Sequence, residues 1–237
     1  GGDGGGGGGE WSQSKTSTLL NVLYLNARSI SNKLSELQIL SNDKKPDLIL
    51  LTETWCNANI TNAMLNLNDY YLEPNLRCDR SDTQFGIGGG LLVYVRNGLT
   101  ILPGDNNSVF NQYCTFKLLN SNKSVDLIFT LVYRSPNSVN ENNDKLCELI
   151  DNLDDSAPHI IVGDFNMPDV DWQALKSTKH KKFLDSTTDK ALYQLVNFPT
   201  HNRGNILDLV LTDCPDRIVN VENIGNLGNS DHCIISL

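Results

Sequence analysis

Residues 160–166 read Ile160-Ile-Val-Gly-Asp164-Phe-Asn166, and the fold is read outward from them. Three β-branched residues in a short apolar run suit a buried strand. The run nevertheless ends in a carboxylate and, two residues on, in an amide, neither of which is there for packing. In α/β architectures the ends of strands are where ligands meet the protein. The same ending recurs along the chain. Leu23-Tyr-Leu-Asn26 closes in an amide and Leu48-Ile-Leu-Leu-Thr-Glu53 in a carboxylate. Leu207-Asp208-Leu-Val-Leu211 holds an acid inside its strand, and Ser230-Asp231-His232 stands immediately before the last apolar run. One acid closing a strand is ordinarily a solvated turn or cap. Five polar strand ends together are expected to form a site.

Apolar runs recur over 19–25, 48–51, 91–95, 125–133, 159–162, 207–211 and 233–237, each of strand length. Between them, helical spacing over 31–40, a second helix around Cys147 to Leu153 after an Asn-rich turn at 140–143, and a shorter one over 181–191 complete the pattern. Strand, helix, strand followed by longer stretches of strand predicts an α/β fold in which two sheets pack together with helices outside. The expected organisation is a flexible Gly-rich leader over 1–18 and one domain over 19–237; the leader contains eight of the chain's 18 glycines.

The chain has 237 residues and is 39% hydrophobic, enough for a sizeable core. It contains no apolar run of membrane-spanning length and no charged-then-apolar leader, so neither a membrane span nor a secretory signal is expected. Six cysteines without a CxxC pair are expected to be reduced core thiols and not a structural zinc site. The formal charge of −9 argues against non-specific affinity for polyanions. A site that holds a divalent cation needs clustered acids, however, and a local basic rim can still face phosphates.

Asp208 is the acid that a solvated turn does not explain, because a carboxylate between Leu207 and Leu209 must be paired, and His232 is the obvious partner. An Asn, a Glu and an Asp converging without cysteine make a hard-oxygen site suited to Mg²⁺ or Mn²⁺. Such a site suits phosphodiester hydrolysis, in which a metal, a carboxylate and an Asp-oriented histidine divide the work.

The motifs LNARSI (25–30), LILLTETW (48–55), GGGLLVYV, LVYRSPN (131–137), IIVGDFNMPDVDW (160–172), FPT with NILDLVLT, and NSDH (229–232) occur in that order. Together they resemble the endonuclease/exonuclease/phosphatase superfamily, and within it the apurinic-endonuclease-like domain of non-LTR retrotransposons on the Jockey and chicken-repeat side. The resemblance implies a DNase I-like four-layered α/β sandwich, two packed mixed β-sheets flanked by helices. It implies Glu53 as principal metal ligand, supported by Asn26 and Asp231, and Asp164 orienting or deprotonating the attacking water. Asn166 would hold the scissile phosphate with Tyr133 beside it, and His232, held by Asp208, would bind a phosphate oxygen. Thr200 would lie near the DNA-facing surface and Ser230 would support the catalytic loop. The implied activity is Mg²⁺-dependent nicking of one strand of duplex DNA, giving a 3′-hydroxyl primer for a reverse transcriptase fused in the full-length protein. The implied place of action is nuclear. Asn26, where repair enzymes commonly carry Asp, argues against strong abasic-site repair. Other readings are a superfamily phosphatase or phosphodiesterase on a small or lipid substrate, and a silent binding domain.

For contacts to the DNA backbone, the candidates are Arg134, Arg203, Arg77 and Arg80, and the cluster Lys176, Lys179, His180, Lys181 and Lys182, whose other reading is a solvated helix face. Trp172 and Trp55 read as packing anchors. The segment Gly86 to Gly90 precedes a strand and lacks the pattern of a nucleotide-binding loop, so it reads as a turn. Sequons at Asn59, Asn106 and Asn122 follow from 29 asparagines and are not expected to carry glycan.

Overall fold

A computed structural model describes residues 19–80, 88–104, 110 and 112–237. The Gly-rich leader, Asn106 and the first part of the 86–90 turn lie outside the described residues. One sheet contains β1 (Val22–Asn26), β2 (Leu48–Thr52), β3 (Tyr70–Leu72), β4 (Leu91–Arg96), β11 (Glu222–Asn226) and β12 (Cys233–Ser236), in the order β11-β12-β1-β2-β4-β3. The other contains β5 (Ile101–Pro103), β6 (Tyr113–Leu119), β7 (Val125–Tyr133), β8 (His159–Asp164), β9 (Tyr193–Gln194) and β10 (Asp208–Thr212), in the order β5-β6-β7-β8-β10-β9. Among the described residues, only β1–β2 and β7–β8 pair in parallel. A parallel connection needs a crossover. These two are made by α1 (Leu34–Lys44) and α2 (Asn140–Asp151), while α3 (Lys181–Asp189) packs beside α2.

Three apolar clusters define four layers. Val22, Tyr24, Leu48, Leu50, Phe129, Leu131, Val162 and Val210 fill the space between the sheets. Leu23, Leu25, Ile49 and Leu51, from the other face of the first sheet, pack with Leu37 of α1. Val132, Ile161, Leu209 and Leu211 pack with Leu146 and Ile150 of α2 and Phe183 of α3. The expected α/β sandwich of two mixed sheets with outer helices is therefore observed. Strands with apolar residues on both faces have no solvent side, which is why they read as continuous apolar runs and not as alternation.

Several helix boundaries differ from expectation: α1 runs on to Lys44, past residue 40, and α3 stops at Asp189. Helix α1 starts three residues late, because residues 31–33 form a turn in which Lys33 Nζ donates to the carbonyl oxygens of Ala27 (2.6 Å) and Arg28 (3.0 Å). The Asn-rich stretch 140–143 is the first turn of α2 and not a loop. Its polar side chains carry no apolar periodicity, so only the buried Leu146, Cys147 and Ile150 are visible in the pattern. Strands β3, β5, β6, β9 and β11 have no counterpart among the expected runs; most are short, and β11 is largely exposed. All six cysteines are free.

Candidate active site

Strand alternation decides which polar residues meet. With a period of two, residues that share a face with the inter-sheet core must project between the sheets. Counting from Tyr24, Leu131 and Val162, that face ends in Asn26, Tyr133 and Asp164. In register, Tyr133 and Asp208 flank Asp164 on its two sides. The site is thus the open end of the inter-sheet core, and its residues belong to both sheets.

Asp208 is fully buried and fully engaged. His232 Nδ1 donates to Asp208 Oδ2 at 2.6 Å, and the Tyr24 hydroxyl donates to Oδ1 at 2.7 Å. Thr200 Oγ1 accepts from the backbone N–H groups of Leu207 and Asp208, both at 3.0 Å. Thr200 is therefore buried beneath the site, and its oxygen holds the start of β10 instead of facing DNA. The cause is the close pairing of its strand segment with residue 205 and with Cys233. Burial alone would lower the His232 pKa. The hydrogen bond and charge of Asp208, with Asp164 and Asp231, outweigh burial and raise it to about 9. An imidazolium with Nδ1 tied to Asp208 leaves Nε2 3.9 Å from Asp164 Oδ2, suited to an anionic oxygen.

Asp164 is also buried, and its carboxyl is raised well above the usual range, first by desolvation and then by the charges of Asp208 and Glu53, against His232 and a hydrogen bond from Asn26. That bond runs from Asn26 Nδ2 to Asp164 Oδ2 at 3.0 Å, while Asn26 Oδ1 accepts from the Arg28 N–H at 3.1 Å. Glu53 sits in the left-handed region (φ 53°) and accepts a hydrogen bond from Trp55 Nε1. Trp55 is thus tied to the site and is more than a packing anchor. A β-carbon built on Gly88 would lie 3.7 Å from Glu53 Oε1 and 4.0 Å from the Tyr133 hydroxyl, so these two groups converge on that glycine.

This donor set fits a hard divalent cation. Asp164, Asp208 and Glu53 repel one another electrostatically, and His232 is the cation that partly offsets them. A second positive charge beside Glu53 would favour ionised Asp164. Two groups, Asp164–Asp208–His232 and His201–Asp231–His232, bring potential ligand atoms within 4.8 Å of one another, but neither contains Glu53, and in both the protonated His232 has no lone pair to offer a metal.

The loop after β8 is held from below. Arg134 is buried, and its Nη1 donates to the carbonyl oxygens of Phe165 (3.1 Å) and Asn166 (2.9 Å), while Nε donates to Asn143 Oδ1 (2.8 Å). Its guanidinium therefore supports the loop, where sequence reading made it a phosphate contact. Asn166 adopts φ 48°, its N–H donates to Asp164 Oδ1 (3.1 Å), and its side-chain amide donates to the Arg134 carbonyl (2.8 Å).

Ser230 Oγ donates to the Asn26 carbonyl at 3.0 Å and accepts from the His232 N–H at 3.3 Å, and it is buried, without reaching a surface. Asp231 pairs with Arg28 and with His201 Nε2 at 3.2 Å. Despite burial, the Arg28 charge holds its carboxyl below the usual range. Arg203 is exposed in the 201–204 turn, its N–H donating to His201 Nδ1.

Lys181 and Lys182 lie on the exposed side of α3, paired with Asp185 (2.6 Å) and Asp144 (2.7 Å). His180 is bonded to Asp169 at 2.8 Å, and Arg77 is consumed by Asp79, Asn62 and Asn57. Trp172 packs edge-on against Phe183, as expected of an anchor. Tyr24, Arg28 and His201 were not singled out in the sequence. Tyr24 was legible in principle, since it lies two residues before Asn26 and so shares its face.

Solved structures of nucleases share the fold, among them three with the following likeness. The endonuclease domain of TRAS1, a telomere-specific non-LTR retrotransposon, superposes with a TM-score of 0.69 at 14% identity, covering 92% of this chain and 96% of that one. The 3′-5′ exonuclease NExo of Neisseria meningitidis gives 0.68 at 16%, covering 92% and 98%. The AP endonuclease LMAP of Leishmania major gives 0.64 at 15%, covering 92% and 86%. No curated protein matches in sequence. Residues 127–236, which contain Tyr133, Asp164, Asn166, Asp208 and His232, match the family model described as endonuclease-reverse transcriptase. The chain thus carries the DNase I-like fold of these nucleases, and its residues 127–236, which hold most of the site, match the pattern of the endonuclease-reverse transcriptase family.

Proposed function

We propose that the chain is a divalent-metal-dependent DNA endonuclease that nicks one strand of a duplex. The observation that carries the reading is the convergence of Asp164, Asn26 and the Asp208–His232 pair at one end of the inter-sheet core, with Glu53 acting on Asp164. A cation held by Glu53 with Asn26 and Asp231, Mg²⁺ or Mn²⁺ by donor chemistry, would neutralise charge on the phosphate and the leaving oxygen. The residues of the chain supply the rest. Asp164 takes the proton of the attacking water, held for this by the Asn26 amide. The water oxygen adds to phosphorus, the bond from phosphorus to O3′ breaks, the phosphate stays on the 5′ side, and the 3′-oxygen leaves as a hydroxyl after taking a proton from solvent. His232, positively charged and oriented by Asp208, stabilises a non-bridging oxygen.

The family match and the TRAS1 likeness support a finer reading, in which the nick primes reverse transcription by a polymerase domain fused in the full-length protein. On that reading the place of action is the nucleus, where the duplex target is. Among the described residues no helix is long and apolar enough to cross a membrane.

The test is conversion of supercoiled plasmid to open circles by wild type and Asp164→Ala, each with Mg²⁺ and with EDTA. Nicking by the wild type alone, and only with the metal, is expected. Equal nicking by a folded Asp164→Ala would overturn the mechanism.

A further inference from the structure

The network around Asp208 extends two residues beyond the Asp208–His232 pair. Tyr24 lies on β1, in the opposite sheet from Asp208, and is fully buried in the inter-sheet core. Its hydroxyl is 2.7 Å from Asp208 Oδ1 and 3.0 Å from Thr52 Oγ1. A phenol has a single hydrogen, and the carboxylate only accepts, so that hydrogen goes to Asp208 and Thr52 must donate to the Tyr24 oxygen. The result is a directed chain: Thr52 donates to Tyr24, Tyr24 donates to Asp208 Oδ1, and His232 Nδ1 donates to Oδ2 of the same carboxylate.

We infer that Tyr24 is a positioning residue for the Asp208–His232 pair, fixing the plane of the Asp208 carboxylate from the opposite sheet so that His232 Nε2 is presented to the substrate. This rests on the functional reading above and deepens it. A carboxylate turns about its last single bond with little resistance, since such torsions have broad minima. Two donors on its two oxygens, Tyr24 on β1 and His232 immediately before β12, both from the sheet that faces β10, remove that freedom. Without the phenol hydrogen, Oδ1 is a buried acceptor without its side-chain donor, and the carboxylate turns to recover one, carrying the imidazole with it. A tyrosine that served packing alone would need only its ring, which Phe supplies.

The experiment compares wild type with Tyr24→Phe by two readouts at fixed pH. The first is plasmid nicking with Mg²⁺ under steady-state conditions. The expected result is a fall in kcat of about 10-fold with KM within about twofold, because the phenol acts through His232 and touches no DNA. The second is the ¹H–¹⁵N NMR signal of the His232 imidazole Nδ1–H in metal-free protein, expected to shift in the variant as the bond to Asp208 changes. Thr52→Val, which removes the donor to Tyr24, is expected to move both readouts in the same direction by a smaller amount.

A folded Tyr24→Phe with unchanged kcat or an unmoved His232 signal overturns the inference. If Tyr24→Phe does not fold, Thr52→Val decides by the same criteria. If the wild type does not nick DNA at all, the endonuclease reading fails, and the NMR arm alone then decides whether Tyr24 sets the geometry of the pair.

Discussion

Asp164 and Asp208 are direct cross-strand neighbours on β8 and β10, two buried carboxylates that face the same space between the sheets. Like charges placed opposite each other destabilise a sheet. The pair is tolerated because His232 lies between them, Nδ1 on Asp208 and Nε2 toward Asp164. Environment separates the two acids. Asp208 accepts from the Tyr24 hydroxyl and from His232, whose imidazole it orients, whereas Asp164 accepts from the Asn26 amide and the Asn166 N–H and has its proton affinity raised by burial and by its neighbours. A raised affinity suits a group that must take a proton from water.

A pH dependence of stability follows from His232. Its folded pKa, about 9, lies above the ordinary value of 6.5. The stabilisation it provides is therefore complete below pH 6.5 and is lost as pH rises through about 9, a change of about 3 kcal/mol. Urea unfolding of metal-free protein between pH 6 and 9.5 should show this decline, and Asp208→Asn should flatten it. An equally steep decline in the variant would remove Asp208 as its cause.

Thr200→Val should act on stability and turnover but not on DNA affinity. Its oxygen accepts from two buried N–H groups at the start of β10, so removing it should cost about 1–3 kcal/mol. Nicking kcat should fall along with it, since Asp208 is one of the two residues so held. Binding of duplex DNA, followed by fluorescence anisotropy, should stay within about twofold; a large loss would restore Thr200 to the DNA-facing surface.

Arg134→Lys separates loop support from phosphate binding. Lysine keeps the charge but cannot reproduce the fork that reaches Phe165, Asn166 and Asn143. The expected outcome is at least about a 10-fold loss of kcat with an unchanged slope of log affinity against log salt concentration. A slope reduced by about one unit would mean that the guanidinium meets a phosphate.

Lys181 and Lys182 changed together to Gln should leave the salt slope of DNA binding unaltered, because both side chains lie on the exposed side of α3 and pair with Asp185 and Asp144. Anisotropy titrations at three salt concentrations measure this. A shallower slope would place the outer face of α3 against DNA.

Much of the fold was legible because its central strands are buried on both faces. β1, β2, β4, β7, β8, β10 and β12 each left an apolar run within a few residues of its true bounds. The edge and near-edge strands were not legible, since a strand such as Glu222–Asn226, paired on one side and largely exposed, has no need of apolar residues. Asn26, Asp164, Asp208 and His232 stood out because polar residues at the ends of apolar runs need a reason to be there. Tyr24 did not stand out, because a tyrosine in a core strand looks ordinary until its partner is known, and Thr200 was named only by resemblance, without the two N–H groups its oxygen accepts from.

By itself, the sequence determined the layered α/β class, the buried central strands, the candidate site acids and the need of Asp208 for a histidine partner, since burial and charge act on each residue where it stands. Only the tertiary structure decided direction and partnership. It placed the Thr200 oxygen under β10, turned the Arg134 fork inward, spent Lys181 and Lys182 on surface ion pairs, and tied Asp208 to Tyr24 across 184 positions of chain. These are properties of pairs brought together by sheet register and by the packing of one sheet on the other. No spacing along the chain encodes them, because a hydrogen bond depends on position and orientation in space, to within a few tenths of an ångström.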